Sequence, residues 1–443
     1  MRGYSIDMAR KHFRYLIIGN SAGGIGAAEA IREADKEGSL AILSDEPYHT
    51  YSRPLISEYL AGERTLEGIY FRPADFYEQK NVQPILGKKA VALDLAGRLV
   101  RLESGEELTW ERLLLACGGK PIVPPMKGDG LEGRFNFITL DDARKLRPAL
   151  KKAKEAVVIG GGLIGISLTE ALVKLRIKVT IVEKMGRVLG AIVDANVSRL
   201  EEARLKKAGV KVVTGHTVQE VVASADRPEA VGGVVLDNGQ KITCQILGVA
   251  VGVSPRGELV EGTDIKKGRG IVVDRHMATS HPDVFACGDA AEAYDFVYGV
   301  ARLTPIWPNA YIGGRVAGFN MAGKKAVYPG GTAMNSLGYF GLPIASAGLF
   351  DPPEGNGYEA LSHLEGEIYR KVILKDGRIA GMAMVSDIGR AGIIFGLMRE
   401  GVDVSSFKEA LLSDEFSLAS LPEDLRKRRL SQELASPISG GGK

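Results

Sequence analysis

Apolar residues in this chain come in short blocks of four to eight, and two stretches arrange those blocks in the same order. In the first, "FRYLIIGN" holds Leu16, Ile17 and Ile18 together, which predicts a strand buried on both faces. Gly19 then turns the chain, and "AGGIGAAEAIREADKEG" predicts a helix stopped at Gly38. "SLAILSDE" predicts a second strand ending in acid. In the second stretch "EAVVIG" is the strand, "ISLTEALVKLR" the helix and "KVTIVE" the strand ending on Glu183. The segments downstream of each unit repeat as well. "GRLVRLESGEELTWERLLLACGG" predicts two alternating strands joined by a Ser-Gly turn, then a buried strand. "VGGVVLDNGQKITCQILGVAVGV" predicts two strands joined by Asn238-Gly239, a strong hairpin signal, then another buried strand. One fold is used twice.

Each βαβ unit carries a glycine-rich turn of the kind that lets backbone N–H groups and a helix dipole hold a pyrophosphate. In the first unit this turn is Gly19, Asn20, Ser21, Ala22, Gly23 and Gly24, with Ser21 where the G-x-G-x-x-G pattern has its middle glycine. In the second, Gly160, Gly162 and Gly165 fill all three positions, with Leu163 and Ile164 between them. An acid about 20 residues on accepts from a ribose hydroxyl. Asp45 and Glu46 are alternatives in the first unit; Glu183 is the candidate in the second. Glu183 favours NAD(H), because an acid repels the 2′-phosphate of NADP(H). Lys184 and Arg187 stand close enough to keep NADP(H) as the lesser alternative. Two bound dinucleotides are expected.

Two further segments break the symmetry. "HPDVFACGDAAEA" predicts a strand, Val284 to Cys287, that delivers Gly288 and Asp289 at its end. From about Lys325 the texture changes: "EIYRKVILKDGRIAGMAMVSD" predicts two strands around Asp376-Gly377, and "RAGIIFGLMREG" a helix. Met382, Met384 and Met398 read as core, or else as an adaptable partner surface.

Composition narrows the class. A chain of 443 residues exceeds one ordinary core. Its 56 glycines are well above the usual share of about 7% and suit cofactor loops. A net charge of +3, evenly mixed, argues against nucleic acid, and "DLRKRR" reads as a late helix's polar face. No apolar run approaches the length that spans a bilayer, and "MRGYSIDMARKHFR" lacks the apolar stretch of a signal peptide, so a cytoplasmic protein is expected. The three cysteines, Cys117, Cys244 and Cys287, are far apart in sequence; they form no C-x-x-C pair or metal site and read as small buried thiols.

Taken together these motifs resemble the FAD-dependent pyridine nucleotide oxidoreductases over nearly the whole chain. The resemblance implies an α/β fold: two Rossmann-like FAD/NAD(P)-binding domains of the three-layer ββα type and a C-terminal α+β domain. Residues 1–120 and 250–324 would form a discontinuous FAD-binding domain, 121–249 the NAD(H)-binding domain, and 325–443 the C-terminal interface domain. It also implies that Asp289 contacts the ribityl–phosphate region and that "LLLACGG" stands for the family's A-T-G-G motif, with Ala116, Cys117 and Gly118 at the cofactor. Ala90 would meet the adenine through its main chain, Gly252 the nicotinamide path, and Asn309 and Ala310 the flavin's pyrimidine side.

"PYHTYSRPLISEYLAG" (Pro47 to Gly62) discriminates within the family. Disulfide reductases and peroxidases of this type carry a redox cysteine here; this chain has none and resembles the rubredoxin and ferredoxin reductases, with Arg53 and Pro54 in their "Y-x-R-P" motif. An ion pair common in those relatives is absent, since Glu58 and Ser167 occupy both positions. The expected reaction is hydride transfer from NADH to FAD, with no side-chain acid or base, then single-electron release to a rubredoxin, a ferredoxin or an iron–sulfur partner subunit. The reverse direction is equally compatible, as are a homodimer and a place within a larger complex. An NADH oxidase or peroxidase and an NADH:quinone reductase are the rival readings, with a non-catalytic NADH-binding redox sensor behind them. "VDVSSFKEALLSDEFSLASL" is too acidic for a membrane-facing terminus.

Overall fold

The computed structural model describes residues 10–128, 130–352 and 356–431. Residues 1–9, part of the segment expected to carry no signal peptide, and the glycine-rich end of the chain lie outside them.

The first fingerprint opens a seven-stranded sheet. Lys11–Ile18, Leu40–Ser44, Gln83–Leu86, Glu107–Leu115 and Val284–Ala286 run parallel, and Leu99–Leu102 and Ala90–Asp94 continue it antiparallel. Leu16, Ile17 and Leu113 to Leu115 are fully buried, as strands covered on both faces require. The hairpin strand and the buried strand expected as separate pieces are one strand, Glu107–Leu115. Its first half pairs with Leu99–Leu102 and its second with Val284–Ala286. Helix α1 (Ala22–Ala34) ends before Gly38, because the Asp35 carboxylate accepts from the Glu37 and Gly38 amides and closes the turn itself.

The second fingerprint opens a five-stranded parallel sheet: Lys211–Thr214, Lys178–Glu183, Glu155–Ile159, Ile246–Val249 and Arg134–Asn136. Its helix is α2 (Leu163–Lys174), and Val218–Ala223, Val231–Leu236 and Lys241–Thr243 form an antiparallel companion sheet. The duplication holds to single hydrogen bonds. Gly19 donates to Leu43 O and Ala116 to Ile18 O; Gly160 donates to Val182 O and Ala250 to Ile159 O, all at 2.8 Å. The lobes meet in a two-stranded antiparallel link, Gly119–Pro121 with Val253–Pro255. There the Arg256 amide donates to Gly118 O at 2.9 Å and the Ile122 amide to Gly252 O at 3.0 Å. Since Gly118 and Gly252 are equivalent in the two lobes, the link has twofold character.

Helix α3 (Trp307–Met321) packs on α1 backbone to backbone: a Cβ added at Gly314 would lie 2.0 Å from Gly23 O, and one at Gly318 2.4 Å from Ala27 O. A five-stranded antiparallel sheet comes next, in the order Met334–Leu337, Ile344–Gly348, Arg378–Val385, Ile368–Lys375, Tyr358–Glu365. Asp376 and Gly377, at φ +49° and +73°, make its tight hairpin. Met382, Met384 and Met398 lie in its core with Ile394 and Leu397. The "SRPLISEYL" segment joins a different core from the strands around it. Tyr51, Ile56, Tyr59 and Leu60 pack with Phe137, Leu140 and Ile166 of the second lobe, with Ile344 of the third sheet and with Leu342 just before it.

Candidate functional site

Both glycine turns lie at the C-terminal ends of parallel strands, where open α/β sheets form their ligand crevice. Gly19 and Gly160 have φ of +125° and +102°, and a Cβ on either would fall 2.1 Å from Ala116 O or 2.4 Å from Ala250 O. Gly24 and Gly165 each sit under the turn, so that a Cβ would lie 1.8 Å from the carbonyl oxygen of Gly19 or Gly160. Ser21 and Gly162 are the N-caps of α1 and α2, both extended and neither giving a side-chain cap bond. An extended backbone suits serine as well as glycine, so Ser21 leaves the turn intact. The first-turn amides of both helices are therefore left without a capping side chain, which is the arrangement that receives a phosphate.

The strand register locates the acids. Glu183 comes directly after Val182, the acceptor of the Gly160 amide; the residue directly after Leu43 in the first lobe is Ser44. Asp45 and Glu46 come one and two positions later and diverge. Asp45 turns outward to the Arg256 guanidinium at 2.8 Å. Glu46 faces a small open cleft that it lines with Asn20, Ser21, Ser44, Tyr51 and Arg53. Its carboxylate accepts from Arg53 and Tyr51, both at 2.5 Å, and the Tyr51 oxygen accepts from the Leu140 amide at 3.0 Å. Arg53 also donates to Ile138 O at 3.3 Å and thereby touches the second lobe. Asn20 is pinned between Tyr48 O and the Tyr77 hydroxyl, which leaves its backbone to the turn. Pro54 is exposed at the start of a short 3₁₀ turn. Ala90 begins its strand just past Gly87 and Lys88, whose amides bond Glu46 O and Ser44 O.

Two strands along the sheet from the Gly19 turn, Gly288 and Asn309 line a second small cleft with Thr304, Gly313 and Tyr328. A Cβ on Gly288 would lie 3.3 Å from that of Ala310 in the first turns of α3. Burial pushes the Asp289 carboxyl up, and the Arg53 guanidinium offsets this only in part. All three cysteines are free; Cys244 and Cys287 are buried and Cys117 half-buried. Burial pushes the Cys117 thiol up to about 12 and Cys287 upward too, so both stay protonated and neither is a ready nucleophile.

In the second lobe the Glu183 carboxylate accepts from the Gly161 amide at 2.6 Å and the Met185 amide at 2.7 Å, bracing the turn it faces. Leu163 and Ile164 are half-buried at the start of α2, and Gly252 sits at the lobe link with φ +119°. Glu58 binds Arg64, and Ser167 binds the Tyr339 hydroxyl of the third domain.

Three buried acids, Asp194, Glu201 and Asp295, went unnoticed in the sequence. Asp194 caps the helix Ala195–Lys207 and accepts from the Tyr369 hydroxyl at 2.6 Å and from Lys371 at 2.9 Å. Glu201, on that helix, is fully buried with neither oxygen bonded. Burial, then the nearby Glu170, pushes its carboxyl up to about 8, with Arg204 opposing. The i, i+4, i+8 spacing of Val197, Glu201 and Leu205 was the available signal that Glu201 lies on the inward stripe.

Residues 13–314 match the family model for pyridine nucleotide-disulphide oxidoreductase, and residues 334–402 that for the rubredoxin NAD+ reductase C-terminal domain. The epsilon subunit of NADH-dependent phenylglyoxylate dehydrogenase from Aromatoleum evansii is 31% identical over 93% of this chain and 98% of its own length. The nitrite reductase [NAD(P)H] of Bacillus subtilis is 27% identical over 88% of this chain, which spans only 48% of that longer protein. The crystal structure of NADH:rubredoxin oxidoreductase from Clostridium acetobutylicum superposes with a TM-score of 0.72 at 27% identity, over 90% of this chain and 97% of that one. Among the described residues no helix is long and apolar enough to cross a membrane.

Proposed function

Because this chain belongs to the pyridine nucleotide-disulphide oxidoreductase family, we propose that it passes electrons between NAD(H) and an external iron–sulfur protein by way of FAD. Bound FAD supplies the conversion between a two-electron hydride and single electrons. The chain's own residues bind and orient. In the first lobe the Gly19 to Gly24 turn and the first amides of α1 hold the FAD pyrophosphate, with Ser44 and Glu46 toward the sugar and Ala90 toward the adenine. Ala116, Cys117, Gly118, Gly288 and Asp289 border the ribityl chain. Arg53, fixed by Glu46, supplies positive charge beside the flavin, and Asn309 and Ala310 present the start of α3 to it. In the second lobe Gly160, Gly162, Leu163, Ile164 and Gly165 hold the NADH pyrophosphate, Glu183 takes the ribose diol, and Gly252 borders the nicotinamide. We assign residues 1–120 with 250–324, 121–249 and 325–443 to the three domains on this basis.

The observation that carries the reading is the pair of equivalent glycine turns, one in each of two lobes joined by the link at Gly118 and Gly252. The choice of acceptor rests on the cysteines: none lies in the Pro47 to Gly62 segment and the two at the crevice are held protonated, so the protein has no sulfur relay of its own. The epsilon subunit matched over nearly its full length supports a partner-subunit role, and the rubredoxin reductase a soluble carrier. In the test, protein reduced anaerobically by NADH is mixed with oxidised rubredoxin, a ferredoxin, a quinone or air-saturated buffer. Rapid reoxidation by an iron–sulfur protein, slowed by salt, is expected. Reoxidation by oxygen or quinone as fast as by any protein would refute this choice of acceptor.

A further inference from the structure

The segment after Glu183 is clasped by the third domain. Leu189 donates to Gly161 O at 2.8 Å, and a Cβ on Gly161 would meet Val188 at 3.1 Å, so residues 187–189 lie directly against the turn that Glu183 braces. Arg187 leaves the chain at this point. An arginine beside a ribose acid is well suited to a 2′-phosphate, since its planar fork matches phosphate oxygens two at a time. Its guanidinium is already engaged: Nη2 donates to Asp351 Oδ2 of the third domain at 2.5 Å and reaches Val193 O at 3.5 Å. Asp351 is steadied by Lys371 at 3.9 Å, and Lys371 is anchored on Asp194 at 2.9 Å and on Phe350 O at 2.7 Å.

We infer that Asp351 is a specificity-determining residue: by holding Arg187 away from the adenosine sugar, the third domain makes this chain select NADH over NADPH. The inference rests on the reading that Glu183 holds the NADH ribose. Glu183 repels a 2′-phosphate, and the Asp351 contact withholds the cation that would offset that repulsion. Lys184, exposed beside it, stays in place and sets the residual use of NADPH.

The test compares wild type, Asp351→Ala, Asp351→Asn and the double variant Arg187→Ala/Asp351→Ala as FAD-loaded proteins. Flavin reduction by NADH and by NADPH is followed anaerobically, with adenosine 2′,5′-bisphosphate as a competing probe. One new charge-assisted phosphate contact gives about a tenfold rise in the NADPH-to-NADH ratio of kcat/KM in Asp351→Ala. The probe's inhibition constant against NADH falls in parallel, Asp351→Asn lies between, and the double variant returns to the wild-type ratio. A ratio within about twofold of wild type in both Asp351 variants, with FAD bound and melting unchanged, overturns the inference. So does a gain that persists without Arg187, because the effect would then be loss of a negative charge rather than release of the arginine. Failure of the underlying reading has a separate signature: Glu183→Ala with unchanged NADH kinetics removes the sugar acid and the clasp together.

Discussion

Glu201 offers a measurement of what a buried, unpartnered carboxyl does to this fold. It is fully buried on the helix Ala195–Lys207, both oxygens lack a partner, and burial and Glu170 raise it from 4.5 to about 8. The proton is held more tightly folded than unfolded. The associated stability is therefore fully present below the ordinary carboxylate range, declines as pH rises through it, and is gone above about 8. Each pH unit in between carries about 1.4 kcal/mol, so between pH 5 and pH 8 the loss is on the order of 4 kcal/mol. Glu201→Gln keeps the shape and removes the ionisation. Any cost of seating the amide is the same at every pH, so the signature is the difference between the two pH profiles. Melting of the FAD-loaded protein, followed by flavin fluorescence, should show wild type losing ground to the variant as pH rises, by roughly 1 °C per kcal/mol for a chain of 443 residues. Parallel profiles from pH 5 to pH 9 would refute the reasoning and mean that Glu201 has found a partner or water.

The two fingerprints make a paired prediction. Gly165→Ala, whose Cβ would fall 1.8 Å from Gly160 O, should leave the protein yellow but unresponsive to NADH; Gly24→Ala should abolish FAD retention itself, and an absorbance spectrum with and without NADH separates the two. Asp194 makes the opposite case to Glu201: Tyr369, Lys371 and the Val197 amide overcome burial and lower its pKa. Its contribution is thus present above the ordinary carboxylate range and lost as pH falls below it. Asp194→Asn, which leaves the nearly buried Lys371 with Phe350 O and the longer contact to Asp351, should cost about 2–3 kcal/mol at neutral pH in denaturant titration, and less in acid.

What the sequence made legible was local. Strand–turn–helix units, the Asn238-Gly239 and Asp376-Gly377 turns and the glycines at 19, 24, 160 and 165 each answer a steric demand met within a few residues. The acid at the first sugar was less legible, because counting to the end of a strand does not reveal register; one hydrogen bond, from Gly19 to Leu43 O, makes Ser44 the counterpart of Glu183. The helix Ala22–Ala34 was expected to run to Gly38, since glycine is the common stop, but the Asp35 side chain does that work first. Contacts between distant segments left no periodic trace at all. The packing of Tyr51 and Ile56 into the second lobe's core and the reach of Arg187 to Asp351 join residues about 90 to 160 positions apart, and only the assembled fold brings them together.

The central claim is that two nucleotides meet between twin lobes without a protein sulfur relay. Anaerobic titration of FAD-reconstituted protein with NADH tests it most directly. The visible flavin band should bleach to completion with one equivalent of NADH, while thiol titration counts the same three free cysteines before and after. Protein that stays colourless after reconstitution, a band that NADH leaves unchanged, or thiols that appear only on reduction would contradict it.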